Sequence, residues 1–383
     1  MTDLLANARD LGPSIAARAE AIEAARTLPD DVVADLRGAG LLRLFVPADL
    51  GGPEADVHTG IDAIAEVSRH DGGAGWSVMI AGTSSLMAGF LPEDHARTIY
   101  GSPDSCTGGF AAPIGTARLV DGGLSVTGTW AWGSGTRHCT WIGGGTRLVD
   151  DDGAPLRRDD GLFAPFTFFH PDDVEFIDTW HVTGLAGSGS GDYAVHDAFV
   201  PEGRWAQLMT AEPRLDGPLW QFPFYGMLAC GIAAVSIGLL DGAVARFAEL
   251  AGGKKPMGSG RTLAERASGQ AALSTAEATA RSARAFLHDA LGAAWTTATG
   301  GDPLTIEHRR SLRLAACDAA QRCADALTML GREAGGTAVY LSEPLQRSVR
   351  DGQVAATHAM VAPRIHELTG RLALGLDTDT TLL

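Results

Sequence analysis

Residues Gly331 to His358 read GREAGGTAVYLSEPLQRSVRDGQVAATH, and the fold is decided there. The stretch joins one apolar helical pattern, Ala315 to Leu330, to a last one, Val354 to Leu374. Between them stand Gly335-Gly336, Pro344-Leu345 and Arg350-Asp351. Paired glycines let a backbone approach a ligand closely because no Cβ intervenes. Pro344 either stops a helix or starts one. Arg350-Asp351 puts a guanidinium and a carboxylate near the start of the next helix.

Upstream of this stretch, helical periodicity runs through Tyr225 to Leu250, Thr262 to Ala298 and Pro303 to Leu330. With the last helix they predict a C-terminal four-helix bundle. From Ser105 to Val200 the period changes. LSVTGTWAW, TWIGGGTRLV, FAPFTFF and YAVHDAFV alternate as strands, with turn signals at Asp121-Gly122-Gly123 and Asp152-Gly153. Short strands at this spacing predict a small antiparallel barrel or sandwich. The first hundred residues return to helical spacing: Leu4, Ala8, Leu11, Ile15, Ala19 and Ile22 form one stripe, and Pro29-Asp30-Asp31 starts a second helix that Gly40 closes. The expected fold class is therefore α+β in three parts: an N-terminal helical domain over 1–101, a central antiparallel β domain over 102–201 and the bundle over 202–383.

The 383 residues carry a formal net charge of −16, which argues against nucleic acid or an anionic membrane as partner. No apolar run reads as the ~20 residues that span a bilayer. The opening MTDLLANARDLG lacks a basic segment followed by an apolar core, so no signal peptide is expected. Five cysteines without a CxxC pair fit buried thiols in a reducing cytoplasm. No His, Asp and Glu cluster has metal-ligand spacing.

Two glycine-rich segments carry candidate chemistry. In GTWAWGSGTRHCTW, Gly128 to Trp141, glycines flank Ser134 at a strand end and offer N–H groups and a hydroxyl. A strand turn with a solvated serine is the alternative. In WHVTGLAGSGSGDYAVHDAFVP, Trp180 to Pro201, the N–H groups around Gly187, with Ser188 and Ser190, suit an anionic phosphate. A plain glycine-rich hairpin is the alternative there. A third run, Pro218 to Leu240, contains no Asp and no Glu but is rich in aromatics: Trp220, Phe222, Phe224 and Tyr225. It reads equally as helix core or as a flat hydrophobic pocket.

In this order the two glycine-rich segments and the Gly331 to His358 stretch resemble the acyl-CoA dehydrogenase superfamily, over nearly the whole chain. In its dehydrogenases the last helix carries a catalytic Glu soon after the Arg-Asp pair; here that position is Ala359, preceded by His358. A His there resembles the two-component flavin-dependent monooxygenase branch (group D). The resemblance implies the oxygenase component of such an enzyme, hydroxylating an aromatic or polycyclic small molecule through a C4a-hydroperoxyflavin. Reduced flavin, FMNH2 or FADH2, would come from a separate reductase by diffusion and react with O2. It assigns His358 and Ser134 to catalysis. Flavin contacts fall to Trp132, Ser134, Gly187, Ser188, Ser190, Arg261, Gly335, Gly336 and Arg350, and pocket walls to Trp76, His138, Trp141, Phe222, Phe224 and Tyr225. It further implies a cytoplasmic homo-oligomer, a tetramer packed through the bundle. An FAD-dependent acyl-CoA dehydrogenase with a displaced base, and a non-catalytic member of the fold, stand as the alternatives.

Overall fold

The N-terminal helices begin where an acid accepts from their first N–H groups or where a proline fixes the entry of the chain. Asp3 accepts from Ala6 N at 2.9 Å and opens α1, Leu4–Ala25. Pro29 precedes α2, Asp30–Gly38, and Gly40 follows it at φ 76°. Asp56 caps α3, Val57–His70, and Asp71 caps α4, Gly72–Ser85, through Ala74 N at 2.8 Å. α5, Glu93–Tyr100, completes this layer. The structure, a computed structural model, describes residues 3–159, 161–208 and 212–383.

Seven strands follow: β1 Thr107–Val120, β2 Gly123–Trp130, β3 Trp141–Val149, β4 Phe166–Phe169, β5 Glu175–Ile177, β6 Asp192–Pro201 and β7 Trp205–Ala206. They form one sheet in the order β5-β6-β2-β1-β3-β4-β7. One pairing departs from the antiparallel expectation: β1 and β3 run parallel, so the sheet is mixed. The reason is the connection from Trp130 to Trp141, which crosses back to the starting end of β1 and carries Ser134. β1 also bulges, with its register against β3 shifting between Phe110 and Gly115. Pro113 sits in that bulge, where a missing N–H breaks no ladder bond.

The C-terminal part packs α6 Phe224–Gly253, α7 Ala267–Thr299, α8 Ile306–Ala334 and α9 Pro344–Ala356, with α10 Arg364–Ala373 against α8. By length and composition α6 could cross a bilayer, which the reading of the sequence missed; in the fold it is the mostly buried centre of the bundle. The expected last helix is in fact two. Thr357 turns its hydroxyl back to Val354 O at 2.7 Å, and Pro363 precedes α10, so 357–363 is a turn and His358 stands in it.

α6 touches α3 through glycine. A Cβ at Gly238 would collide with the Ala65 carbonyl oxygen, and one at Gly242 with that of Arg69. Gly238→Ala is expected to lower stability by roughly 1–3 kcal/mol, the usual scale of overpacking, despite alanine's better helix propensity. Urea unfolding measures it; an unchanged or raised midpoint would show that the helices separate freely.

Candidate active site

A cavity of about 700 Å³ lies where α4, the bulged part of β1, the Ser134 connection, the 180–190 loop, the start of α6 and the turn after α9 converge. Its size falls within the usual range of small-molecule sites, ~300–1,000 Å³. Trp76, Trp132, Ser134, Ser188, Ser190, Phe224, Tyr225 and His358 all line it. Ala359, where the resemblance places a dehydrogenase's Glu, lines it too and brings no carboxylate. Among the described lining residues the sole carboxylate is Asp379, an exposed side chain held by Thr381 N at 2.9 Å.

One wall is a row of hydroxyls. The Trp76 indole N–H donates to Ser134 Oγ at 3.0 Å; Ser134 and Ser190 hydroxyls are 2.7 Å apart, as are those of Ser190 and Ser188. Ser188 Oγ donates to Leu185 O at 2.7 Å. Each hydroxyl has one proton. Ser188 spends its proton on the carbonyl, so Ser190 donates to Ser188 and Ser134 to Ser190. Ser134 is left with a free lone pair, an acceptor rather than a donor. All three serines are buried.

His358 faces this wall across Trp76, its ring 5.8 Å from the indole. Met360 N–H donates to His358 Nδ1 at 3.2 Å, so the neutral ring carries its proton on Nε2. Burial, with the Arg313 charge nearby, pushes its pKa down to about 4. Arg313 itself is buried and donates to Tyr225 O, Leu382 O and Met360 Sδ. Burial raises the Tyr225 phenol above its usual value.

The other named residues stand elsewhere. Arg350 is not at the cavity: it bonds Glu23 Oε1 at 2.5 Å and Thr183 O at 2.7 Å, tying α9 to α1 and the 180–190 loop. Asp351 supports the same loop, accepting from Leu185 N at 2.6 Å. Gly187 packs against Gly73 and Ile22, where a Cβ has no room. His138 is half-buried, its ring nitrogens turned in beside Cys106, and Trp141 lies under Arg204, 5.1 Å from the ring centre. Phe222 packs on Trp295 at 6.0 Å. Arg261, Gly335 and Gly336 lie on the surface, away from the cavity. Reading the sequence missed the bulge Gly108 to Pro113, Trp180 and the tail residues Asp379, Thr381 and Leu382. Only the bulge left a signal, the Gly-Gly and Pro inside a strand pattern. The tail has no periodicity to read.

The family models for the acyl-CoA dehydrogenase N-terminal and C-terminal domains match residues 4–92 and 230–363. An indole-3-acetate monooxygenase of Pseudomonas putida is 30% identical over 91% of this chain and 88% of its own. The structure of a 3-HSA hydroxylase from Rhodococcus sp. RHA1 superposes with a TM-score of 0.92 at 25% identity, over 100% of this chain and 99% of that one. XiaF from Streptomyces sp., solved with FADH2 and glycerol, gives 0.90 at 27% identity over 98% and 95%.

Proposed function

We propose, from the premise that this chain belongs to the acyl-CoA dehydrogenase family and is a flavin-dependent monooxygenase of that family, that it hydroxylates a neutral aromatic or polycyclic molecule held between the serine row and His358. The carrying observation is a neutral histidine facing an apolar cavity that holds no buried carboxylate. α-Proton abstraction needs a positioned base, and no buried carboxylate is aimed here among the described residues. The walls fit a flavin ring: a flat apolar slot with one edge of Trp76 N–H and serine oxygens. Trp132, Ser134, Ser188 and Ser190 would hold it. When bound, reduced flavin activates O2 so that one oxygen atom reaches the substrate and the other leaves as water. The protein's own part is to exclude water, to orient the substrate on Phe224 and Tyr225, and to hold a proton at His358 Nε2.

The direction of the serine chain favours the reduced cofactor. The free lone pair of Ser134 accepts a hydrogen bond, and reduced flavin has an N–H at N5 where oxidised flavin has none. Protein purified without reductase is expected to be largely colourless and to bind reduced flavin more tightly than oxidised. Ser134→Ala should narrow that difference and raise hydrogen peroxide released per product. Anaerobic titration and peroxide assay test both. Recovery of yellow protein with stoichiometric, tightly held FAD that oxidises acyl-CoA would overturn the reading.

We read the partners the same way. A separate reductase supplies the flavin by diffusion, in the cytoplasm. A second copy covers the exposed Val339-Tyr340-Leu341 edge beside Gly335-Gly336, which, with Arg261, would then meet a neighbour's flavin. Light scattering that gives a monomer at micromolar concentration would remove this part.

A further inference from the structure

Behind the Ser134 wall lies a pair of thiols with no part in the chemistry above. Cys106 Sγ and Cys139 Sγ are 3.7 Å apart, and both side chains are buried. Cys106 precedes β1 and Cys139 shortly precedes β3, and the parallel register that pairs Thr107 with Trp141 holds the two close. Cys139 Sγ also lies 3.2 Å from Gly135 O, so its one S–H serves either that carbonyl or Cys106. Gly108 alone separates the pair from the cavity. It lines the cavity, and a Cβ on it would stand 3.0 Å from Cys139 Sγ and 2.6 Å from Ser134 O.

Both ring nitrogens of His138 and Nε of Arg37 are buried without a hydrogen-bond partner. Arg37 also faces Asp104 Oδ1 at 3.9 Å and donates to His138 O at 3.4 Å, so the His138 ring is the group left without a partner. Orphaned polar groups of this kind are costly unless something satisfies them. The Cys139 hydrogen bond, then the His138 ring and the Arg37 charge, pull the Cys106 thiol below its ordinary pKa. Burial and the Cys106 contact hold Cys139 above. With the Cys139 S–H within reach of Gly135 O and Cys106 beside the unpartnered His138 ring, Cys106 is the nucleophile and Cys139 the resolving group.

We propose that Cys106 and Cys139 are a peroxide-oxidised dithiol site that forms a reversible disulfide directly behind the oxygen-activating cavity. The inference rests on the oxygenase reading only for the source of peroxide, which forms whenever oxygen reduction is not coupled to hydroxylation. In the first step Cys106 thiolate attacks one oxygen of H2O2. The S–O bond forms, the O–O bond breaks, two electrons pass from sulfur to peroxide, and hydroxide takes a proton and leaves as water. His138, the unpartnered ring beside Cys106, would bond the new sulfenic oxygen. In the second step Cys139 sulfur attacks Cys106 sulfur; the S–S bond forms, and the hydroxyl leaves as a second water with the Cys139 proton. Two thiols and one H2O2 become one disulfide and two waters. Closing 3.7 Å to a bonded distance of about 2 Å draws the Ser134 connection towards β1, so oxidation acts on the residue that faces the flavin.

The test needs no flavin. Full-length protein is treated with inorganic hydrogen peroxide, denatured, alkylated and mapped by mass spectrometry. The fully exposed Met257 serves as the dose marker. The expected result is loss of two hydrogen atoms, mapped to a linked pair of peptides carrying Cys106 and Cys139, while Cys230, Cys317 and Cys323 remain alkylated; dithiothreitol reverses it. Cys139→Ser should stop at one added oxygen on Cys106, and Cys106→Ser should show neither change. Free Cys106 and Cys139 in wild-type protein whose Met257 is already sulfoxide would overturn the proposal, whether or not either variant folds. So would a link through any other cysteine. A failed hydroxylation assay would leave this result untouched, so the two readings fall separately.

Discussion

Replacing His358 with alanine is expected to cut hydroxylated product by ~10²–10⁴-fold, the usual scale for a positioned proton donor or acceptor. The argument is the tautomer. Met360 N–H fixes Nδ1 as an acceptor, so Nε2–H is the group the ring can offer to a substrate oxygen. Because burial and Arg313 lower the pKa to about 4, the ring stays neutral well below the ordinary histidine value of 6.5. The pH profile of coupled turnover should therefore show no limb near 6.5 and lose activity only as pH falls towards about 4, where protonation of Nδ1 ejects the Met360 N–H. Coupling, measured as product against peroxide, separates this from collapse of the fold. If His358→Ala keeps full coupled hydroxylation and only lowers thermal stability, His358 is a packing residue and its place in the mechanism is gone.

The fold was legible because its signals are local. Periodicity shows the α1 stripe, the four strands quoted above and the three long bundle helices, and Pro29 and Pro344 mark the starts of α2 and α9. What was not legible depends on contacts distant in sequence. Arg350 reads as a flavin ligand until Glu23, on α1, is seen to bind it. Gly187 reads as a phosphate cradle, yet its missing Cβ makes room for Ile22 and Gly73. His138 and Trp141 share a segment with Ser134 but turn the other way, because the short 3-10 turn at Thr136–His138 re-aims the chain before β3. The turn that holds His358 is hidden by apolar residues on both sides, Val354 and Ala355 before it, Met360 and Val361 after. The parallel β1–β3 pair escapes alternation altogether, since a period of two is the same in either direction.

The Arg-Asp pair leads to the second large effect. Asp351 is fully buried and is the acceptor for Leu185 N–H, and Leu185 O is where the hydroxyl chain from Trp76 and Ser134 ends. Asp351→Ala orphans that N–H, which costs about 1–3 kcal/mol, and frees the loop that orders the serines. The expected outcome is a lower unfolding midpoint together with weaker binding of reduced flavin. Asp351→Asn keeps an acceptor and should restore both, whereas Asp351→Leu, of similar size but with no acceptor, should not, which a purely packing role would not predict. Charge supplies a further check. Burial, then the neighbouring Asp71, raises the Asp351 pKa from 3.8 to about 7, and burial raises Asp71 to about 6. A carboxyl whose folded-state pKa is raised gives stability that is complete below the unfolded value and lost as pH rises through the folded one. The pair should therefore subtract stability between about pH 4 and about pH 7, titrating together rather than singly. His358 works in the opposite sense, since its depressed pKa makes stability rise between about 4 and 6.5. That contribution is common to wild type and Asp351→Asn, so their difference isolates the carboxylates. Urea unfolding at about pH 5 and about pH 8 should show wild type losing more stability on the rise than Asp351→Asn, which keeps only one of the two raised acids, Asp71. Parallel curves for the two proteins would mean that Asp351 is ionised throughout, and that the loop beneath the flavin wall is held by a full charge rather than by a shared proton.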